Sequence, residues 1–110
     1  MAIKTDGTLW SWGKNNWGHL GHNNQANYSS PTQIGSDTTW SKVAVSGEFK
    51  VKAIKTDGTL WSWGYNNKGQ LGLNQPTSTH VSSPTQVGSE SDWTKIGGTG
   101  GGVSYALRAL

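Results

Sequence analysis

His19 and His22 stand three residues apart around Gly21, and two imidazoles at that spacing can begin a zinc site. A structural or catalytic zinc needs a third ligand, and neither a cysteine nor a nearby carboxylate follows them. The pair therefore reads as loop decoration, and no metal is assigned. Gly97-Gly98-Thr99-Gly100-Gly101-Gly102 has the composition of a phosphate loop. It lacks the closing Lys-Ser/Thr and a following helix, so it reads as a flexible connection. Asn27-Tyr28-Ser29 is a lone glycosylation sequon and carries little weight. The six acidic residues are scattered, Asp6 and Asp57 in turns and Asp37, Glu48, Glu90 and Asp92 in connections. No nucleophile stands beside a base in a recurring arrangement. Catalytic residues and cofactors are accordingly none, and the chain is expected not to be an enzyme.

The elements that must position these residues are dictated by a repeat. Residues 2–13 read AIKTDGTLWSWG, and residues 53–64 read the same twelve letters. Asn15, Gly18, Leu20 and Gly21 return as Asn66, Gly69, Leu71 and Gly72 at an offset of 51. Ser29–Ser36 returns as Ser82–Ser89, and Trp40-Ser41-Lys42-Val43 as Trp93-Thr94-Lys95-Ile96, at an offset of 53. Two residues are thus inserted between Gly72 and Ser82, where a loop absorbs them. A third copy starts at Ala106-Leu107-Arg108, which matches Ala53-Ile54-Lys55. One domain over 1–110 follows, with repeat 1 at about 2–52, repeat 2 at about 53–105 and the start of a third at 106–110.

Each copy reads as four short strands. Trp-x-Lys-Val/Ile gives the first, Ala-Ile-Lys the second, Leu-Trp-Ser-Trp the third and Pro-Thr-Gln the fourth. β-Branched and aromatic residues dominate them. Asp6-Gly7 between the second and third strands is a preferred type I′ hairpin pair. Pro31 and Pro84 donate no ladder hydrogen bond, which places the fourth strand at a sheet edge. Sixteen glycines and the absence of a helical period argue against helices. Four antiparallel strands at a period near fifty residues are the signature of a β-propeller blade.

The string Asp-Gly-Thr-Leu-Trp-Ser-Trp-Gly-x-Asn-x-x-Gly-x-Leu-Gly, followed by Pro-Thr-Gln-Ile/Val and Trp-x-Lys-Val/Ile, resembles the repeat of the regulator of chromosome condensation family. The resemblance covers nearly the whole chain. It implies an all-β fold of two such blades, of the kind that close into rings, typically of seven. His19 departs from the pattern, where the second copy has the usual Gln70. The family's functions are diverse: nucleotide exchange on a nuclear GTPase, ultraviolet reception, inhibition of β-lactamases. The Gly-Trp-Arg-His-Thr pattern of the ultraviolet receptors is absent here. Fold alone therefore assigns no activity.

The strand inventory shapes the expectation for partners. Residues before Trp40 supply a second, third and fourth strand, Trp40 to Gly88 a whole blade, and Trp93–Gly97 with Val103–Arg108 a first and second strand. These end blades are complementary between chains. The expected partner is a second copy of the chain, giving six blades in a trimer or eight in a tetramer. One of the duplicate strands, Ala2–Thr5 or Val103–Arg108, must then be displaced or add to an edge. The rival expectation is a fragment of a longer propeller.

Charge and composition narrow the remaining classes. The net charge is +3, with lysines spread along the repeats rather than in a stripe, which disfavours nucleic acid. No apolar run suits a signal peptide or a membrane span. The chain has no cysteine and forms no disulfide. Trp10, Trp12, Trp40, Trp61, Trp63 and Trp93 recur at matching strand positions and are expected to pack between blades, each removing about 200 Å² from water. Trp17 does not recur, since its counterpart is Lys68. The non-repeated loops make Trp17, His22, Tyr28, Tyr65 and His80 the candidate binding residues. The expected function is a non-enzymatic, self-associating scaffold that binds other proteins. The alternative is a surface recognition module, of phage-tail or secreted adhesion type, that takes a glycan or host protein on those loops.

Overall fold

Nine strands form three separate antiparallel sheets in the computed structural model, which describes residues 1–47, 50–65, 81–98 and 104–108. β1 (Ala2–Ile3), β2 (Leu9–Gly13) and β3 (Tyr28–Gln33) make the first sheet. β4 (Trp40–Ser46), β5 (Lys50–Lys55), β6 (Leu60–Gly64) and β7 (Val81–Gln86) make the second. β8 (Trp93–Gly98) pairs with β9 (Ser104–Arg108). The strands follow one another in spatial order within each sheet, as a meander does. The proline-bearing β3 and β7 lie at sheet edges, where a missing N–H costs nothing.

The two copies fold alike down to their irregularities. β2 shifts register against β3 between Ser11 and Gly13, and β6 against β7 between Ser62 and Gly64. The hairpin differs from the type I′ turn expected of Asp-Gly. Asn23 is the only described non-glycine residue with a positive φ, so Asp6 and Asp57 are excluded from that turn. Gly7 N–H donates to Lys4 O at 2.9 Å, and Lys4 N–H to Thr8 O at 2.9 Å. The loop is thus three residues long, with Gly7 left-handed at φ 84°. Gly58 repeats it at φ 83°.

Asp6 serves the hairpin through its side chain instead. Its Oδ1 accepts from Thr8 N–H at 3.0 Å and from Thr8 Oγ1 at 2.6 Å, and Thr8 Oγ1 accepts from Trp10 Nε1 at 2.8 Å. Asp57, Thr59 and Trp61 repeat this relay at 3.0, 2.6 and 2.8 Å. The Thr8 bonds hold the Asp6 carboxyl below its ordinary range, and Thr59 does the same for Asp57.

The core lies between the first and second sheets. Leu9 and Ile34 of one blade meet Trp40, Val51, Ala53 and Trp63 of the next. Backbone bonds cross the same junction. Trp40 N–H donates to Gly7 O at 3.1 Å and Asn23 N–H to Ser82 O at 2.7 Å, while Thr56 N–H to Thr39 O at 2.8 Å extends the β4–β5 ladder within the second sheet. Trp93 N–H donates to Gly58 O at 3.1 Å at the following junction. A Cβ on Gly7 would stand 1.9 Å from Thr38 O, and one on Gly58 1.9 Å from Ser91 O. The connection between blades therefore crosses the hairpin where only glycine fits.

Candidate functional site

Asn15 organises the loop between β2 and β3. It is fully buried, at 0% exposure. Its Oδ1 accepts from Leu20 N–H at 3.0 Å, its Nδ2 donates to Asn24 O at 2.9 Å, and its own N–H donates to Asn27 Oδ1 at 3.0 Å. Gly18 N–H donates to Asn15 O at 3.2 Å. These bonds compact residues 15–27 and press them onto the next blade. Trp63 Nε1 donates to His19 O at 3.0 Å, and Asn23 N–H to Ser82 O at 2.7 Å. Gly21 lies so close that an added Cβ would stand 3.0 Å from Trp63 Nε1.

The structure gathers the candidate binding residues into two groups. Trp17 and Tyr65, from loops of different blades, stack with ring centroids 4.4 Å apart, and Lys50 Nζ lies 5.7 Å from the Tyr65 ring. His22 and Tyr28 stack at 4.4 Å within one loop. His80 falls outside the described residues. Ser11 Oγ donates to Leu20 O at 2.7 Å, and His22 Nε2 lies 2.9 Å from Ser11 Oγ. With the hydroxyl proton engaged, the imidazole N–H is the donor of that second bond. Burial pushes the His22 imidazole below its ordinary value, and a hydrogen bond to the Ser11 backbone partly opposes it. Ser11 is itself fully buried and supplies no accessible nucleophile. Among the described residues no three His, Cys, Asp or Glu side chains gather as a metal set. No helix long and apolar enough to cross a membrane occurs among the described residues.

The repeated tryptophans do not share one environment. Trp40 and Trp63 are buried, while Trp10, Trp61 and Trp93 are half-buried. Trp12 departs from the inter-blade packing expected of it and is 42% exposed, whereas its twin Trp63 is 0% exposed. The cause is the neighbour: Trp63 lies under the 15–27 loop of the preceding blade, and no described segment covers Trp12 in that way. Trp12 instead lines a groove of about 420 Å³ with Met1, Lys14, Leu20, Val45 and Val51.

A second groove, of about 410 Å³, opens at the junction of the blades. His22 and Asn23 line it from the loop, Asp37 from the connection, and Trp40, Lys55 and Trp61 from the second sheet. Lys55 Nζ pairs with Asp37 Oδ2 at 2.7 Å and stands 4.2 Å from the Trp61 ring and 4.9 Å from the Trp40 ring. The arrangement recurs with arginine. Arg108 Nε pairs with Asp92 Oδ1 at 2.7 Å, and its guanidinium lies 5.8 Å from the Trp93 ring. The Arg108 hydrogen bond holds the Asp92 carboxyl low.

Sequence reasoning passed over two buried cations. Lys50 and Lys52 are each 8% exposed on β5. Burial pushes the Lys52 ammonium below its ordinary value. The available signal was the repeat itself, which aligns Lys52 with Met1, an apolar side chain.

Comparison with known proteins agrees with this geometry. The regulator of chromosome condensation (RCC1) repeat matches twice, over residues 6–51 and 57–107. Protein RCC2 of Homo sapiens is 36% identical over 88 residues, which is 79% of this chain and 17% of that protein. The E3 ubiquitin-protein ligase HERC2 of Homo sapiens is 32% identical over 74 residues, 64% of this chain and 2% of that protein. The chain thus spans a small part of the curated relatives it matches. Prp20p from Saccharomyces cerevisiae superimposes with a TM-score of 0.76 at 18% identity, over 98% of this chain and 28% of that one. Human WBSCR16 gives 0.77 at 18%, with the same coverage. At such identity these two speak for the fold alone, that of RCC1 β-propeller blades. The doubled hairpin relay, the Asn–Gly loop laid over a tryptophan and the two successive repeat matches together make this chain a member of the regulator of chromosome condensation repeat family.

Proposed function

We propose that the chain works without catalysis, as a pair of propeller blades that scaffolds protein contacts and adds further blades against its Trp12 face, a second copy supplying them. The contrast between Trp12 at 42% exposure and Trp63 at 0% carries this reading. The two residues hold the same eleventh place in identical dodecamers. One is covered by a blade loop, so a loop of the same kind is the natural cover for the other. The chain's own Gly69-Gln70-Leu71-Gly72 repeats the motif of the loop that covers Trp63. Solved relatives support a protein-binding role. The Prp20p structure is described with binding to Gsp1p and histones, and yeast RCC1 (Prp20) is seen bound by Kap60. Those partners belong to those proteins.

Native mass spectrometry tests the assembly. The expected species is a discrete trimer or tetramer that Trp12→Arg reduces to monomer. A wild-type monomer at tens of micromolar overturns the self-association. A screen of hydrolase and transferase substrates that found turnover would overturn the non-catalytic reading.

A further inference from the structure

Lys55 shows what a finished cation site looks like in this repeat. Its ammonium pairs with Asp37 at 2.7 Å and stands over two indoles, Trp61 of β6 at 4.2 Å and Trp40 of β4 at 4.9 Å. Its side chain is only 14% exposed. The outer two sheets each hold half of the same arrangement. Lys4 stands over Trp10 of its own sheet at 4.0 Å, and among the described residues it makes neither the ion pair nor the second ring contact. The missing half is on the third sheet, where Arg108 uses it. Arg108 pairs with Asp92 at 2.7 Å and with Glu90, the counterpart of Asp37, at 3.9 Å, and lies 5.8 Å from the Trp93 ring. Its side chain stays 46% exposed, and ion pairs that exposed hold a strand weakly.

We infer that β1 of one chain takes the place of β9 beside β8 of a second copy, so that two chains build one four-stranded blade in the order β8-β1-β2-β3. This rests on the self-association reading and names the strands that perform it. The repeat sets the register. Ala2-Ile3-Lys4 aligns with Ala106-Leu107-Arg108, so Lys4 comes opposite Trp93, Ile3 opposite Lys95 and Ala2 opposite Ile96. Lys4 then stands over Trp10 and Trp93 with Asp92 and Glu90 in reach, as Lys55 does in the middle blade. β9 is the strand that yields. It pairs with β8 alone in a two-stranded sheet, whereas the hairpin at Gly7 ties β1 to β2. β8 keeps its place without β9, because Trp93 N–H donates to Gly58 O at 3.1 Å and Lys42 Nζ to Thr94 O at 2.6 Å. β1 is two residues long where its counterpart β5, flanked on both edges, is six. A strand on its open edge would let it lengthen.

Introduced thiols test the exchange, since the chain has no cysteine of its own. Ile96 and Ala106 are opposite one another on β8 and β9, within the span of a disulfide. Oxidised Ile96→Cys/Ala106→Cys chains therefore keep β9 in place. Native mass spectrometry should find them monomeric where wild type assembles, and reduction should restore the wild-type mass, which certifies the fold. Ala2→Cys/Ile96→Cys chains, oxidised within the assembly, should instead be joined chain to chain. Arg108→Ala should tighten assembly about fivefold and Lys4→Ala weaken it by as much. Wild-type mass in the oxidised Ile96→Cys/Ala106→Cys variant, or no disulfide between Ala2→Cys/Ile96→Cys chains, would overturn the exchange and leave the scaffold reading standing. A monomeric wild type would overturn both.

Discussion

Trp63 donates its indole N–H to the backbone oxygen of His19, 44 residues earlier in the chain and one blade away. The contact joins a strand that repeats to a loop residue that does not, because His19 stands where the second copy has Gln70. A carbonyl accepts the bond, so the side chain at position 19 does not itself make it.

Truncating Trp63 should cost far more than truncating its twin. Trp63→Ala is expected to destabilise by about 3–5 kcal/mol, as large aromatic deletions in cores do. Trp12→Ala removes a partly exposed ring and should cost less than half as much in the monomer. Urea denaturation of the two variants, under conditions that hold wild type monomeric, measures the difference. Equal losses would mean that Trp12 is covered in solution.

The hairpin glycines offer an internal control. Gly7, Gly58 and Gly35 all have positive φ, at 84°, 83° and 61°. A Cβ at Gly35 meets nothing within 4 Å, whereas at Gly7 and Gly58 it collides with backbone oxygen. Gly35→Ala should therefore cost only the left-handed strain, about 1–2 kcal/mol. Gly58→Ala should cost measurably more, since backbone must move. Thermal unfolding midpoints rank the variants, and a Gly58→Ala as mild as Gly35→Ala would refute the close crossing.

Asn15 holds its loop by its side-chain amide and main chain together. Asn15→Asp keeps the oxygen that accepts from Leu20 but loses the Nδ2 donor to Asn24. It also buries a carboxylate at a site with 0% exposure. The expected loss is about 2–3 kcal/mol at pH 7 and less at pH 4, where the acid is neutral. Denaturation at both values checks the sign.

Acid should weaken the first junction through His22. Its folded value lies below the ordinary 6.5, so the unfolded chain binds the proton first. Stability is unaffected above that value. It falls as the pH drops below about 6.5 and levels off once the folded imidazole is also charged. His22→Gln should flatten the slope between pH 7 and 5. The acidic group facing the same groove among the described residues is Asp37, which is paired with Lys55 at 2.7 Å.

Much of this architecture was readable before folding. The repeat predicts the strands, their order and the edge position of the proline runs, because each depends on local chemistry that is copied intact. The hairpin differs from that expectation because Asp6-Gly7 also suits a longer loop, and the choice depends on whether Thr5 or Lys4 closes on Thr8. The unlike fates of Trp12 and Trp63 were not readable at all. Identical dodecamers carry identical propensities, so only the neighbouring blade distinguishes them. The variable loops were correctly marked as the places where the copies differ. The pairing of Trp17 with Tyr65 and of His22 with Ser11 depends on how those loops fold back, which no spacing encodes.

The connection that crosses each hairpin touches it through backbone, Trp40 N–H to Gly7 O and Trp93 N–H to Gly58 O, and through the missing side chain of a glycine. Blade spacing is thus metered by peptide groups that every sequence possesses. A gene segment encoding one blade keeps this crossing when it is copied beside another, and what is left to match is the side-chain core packed between them. The second copy is two residues longer between Gly72 and Ser82, yet the crossing at Gly58 matches the one at Gly7. Such a joint makes duplication cheap and divergence safe, and leaves the grooves between blades free to acquire new chemistry one at a time.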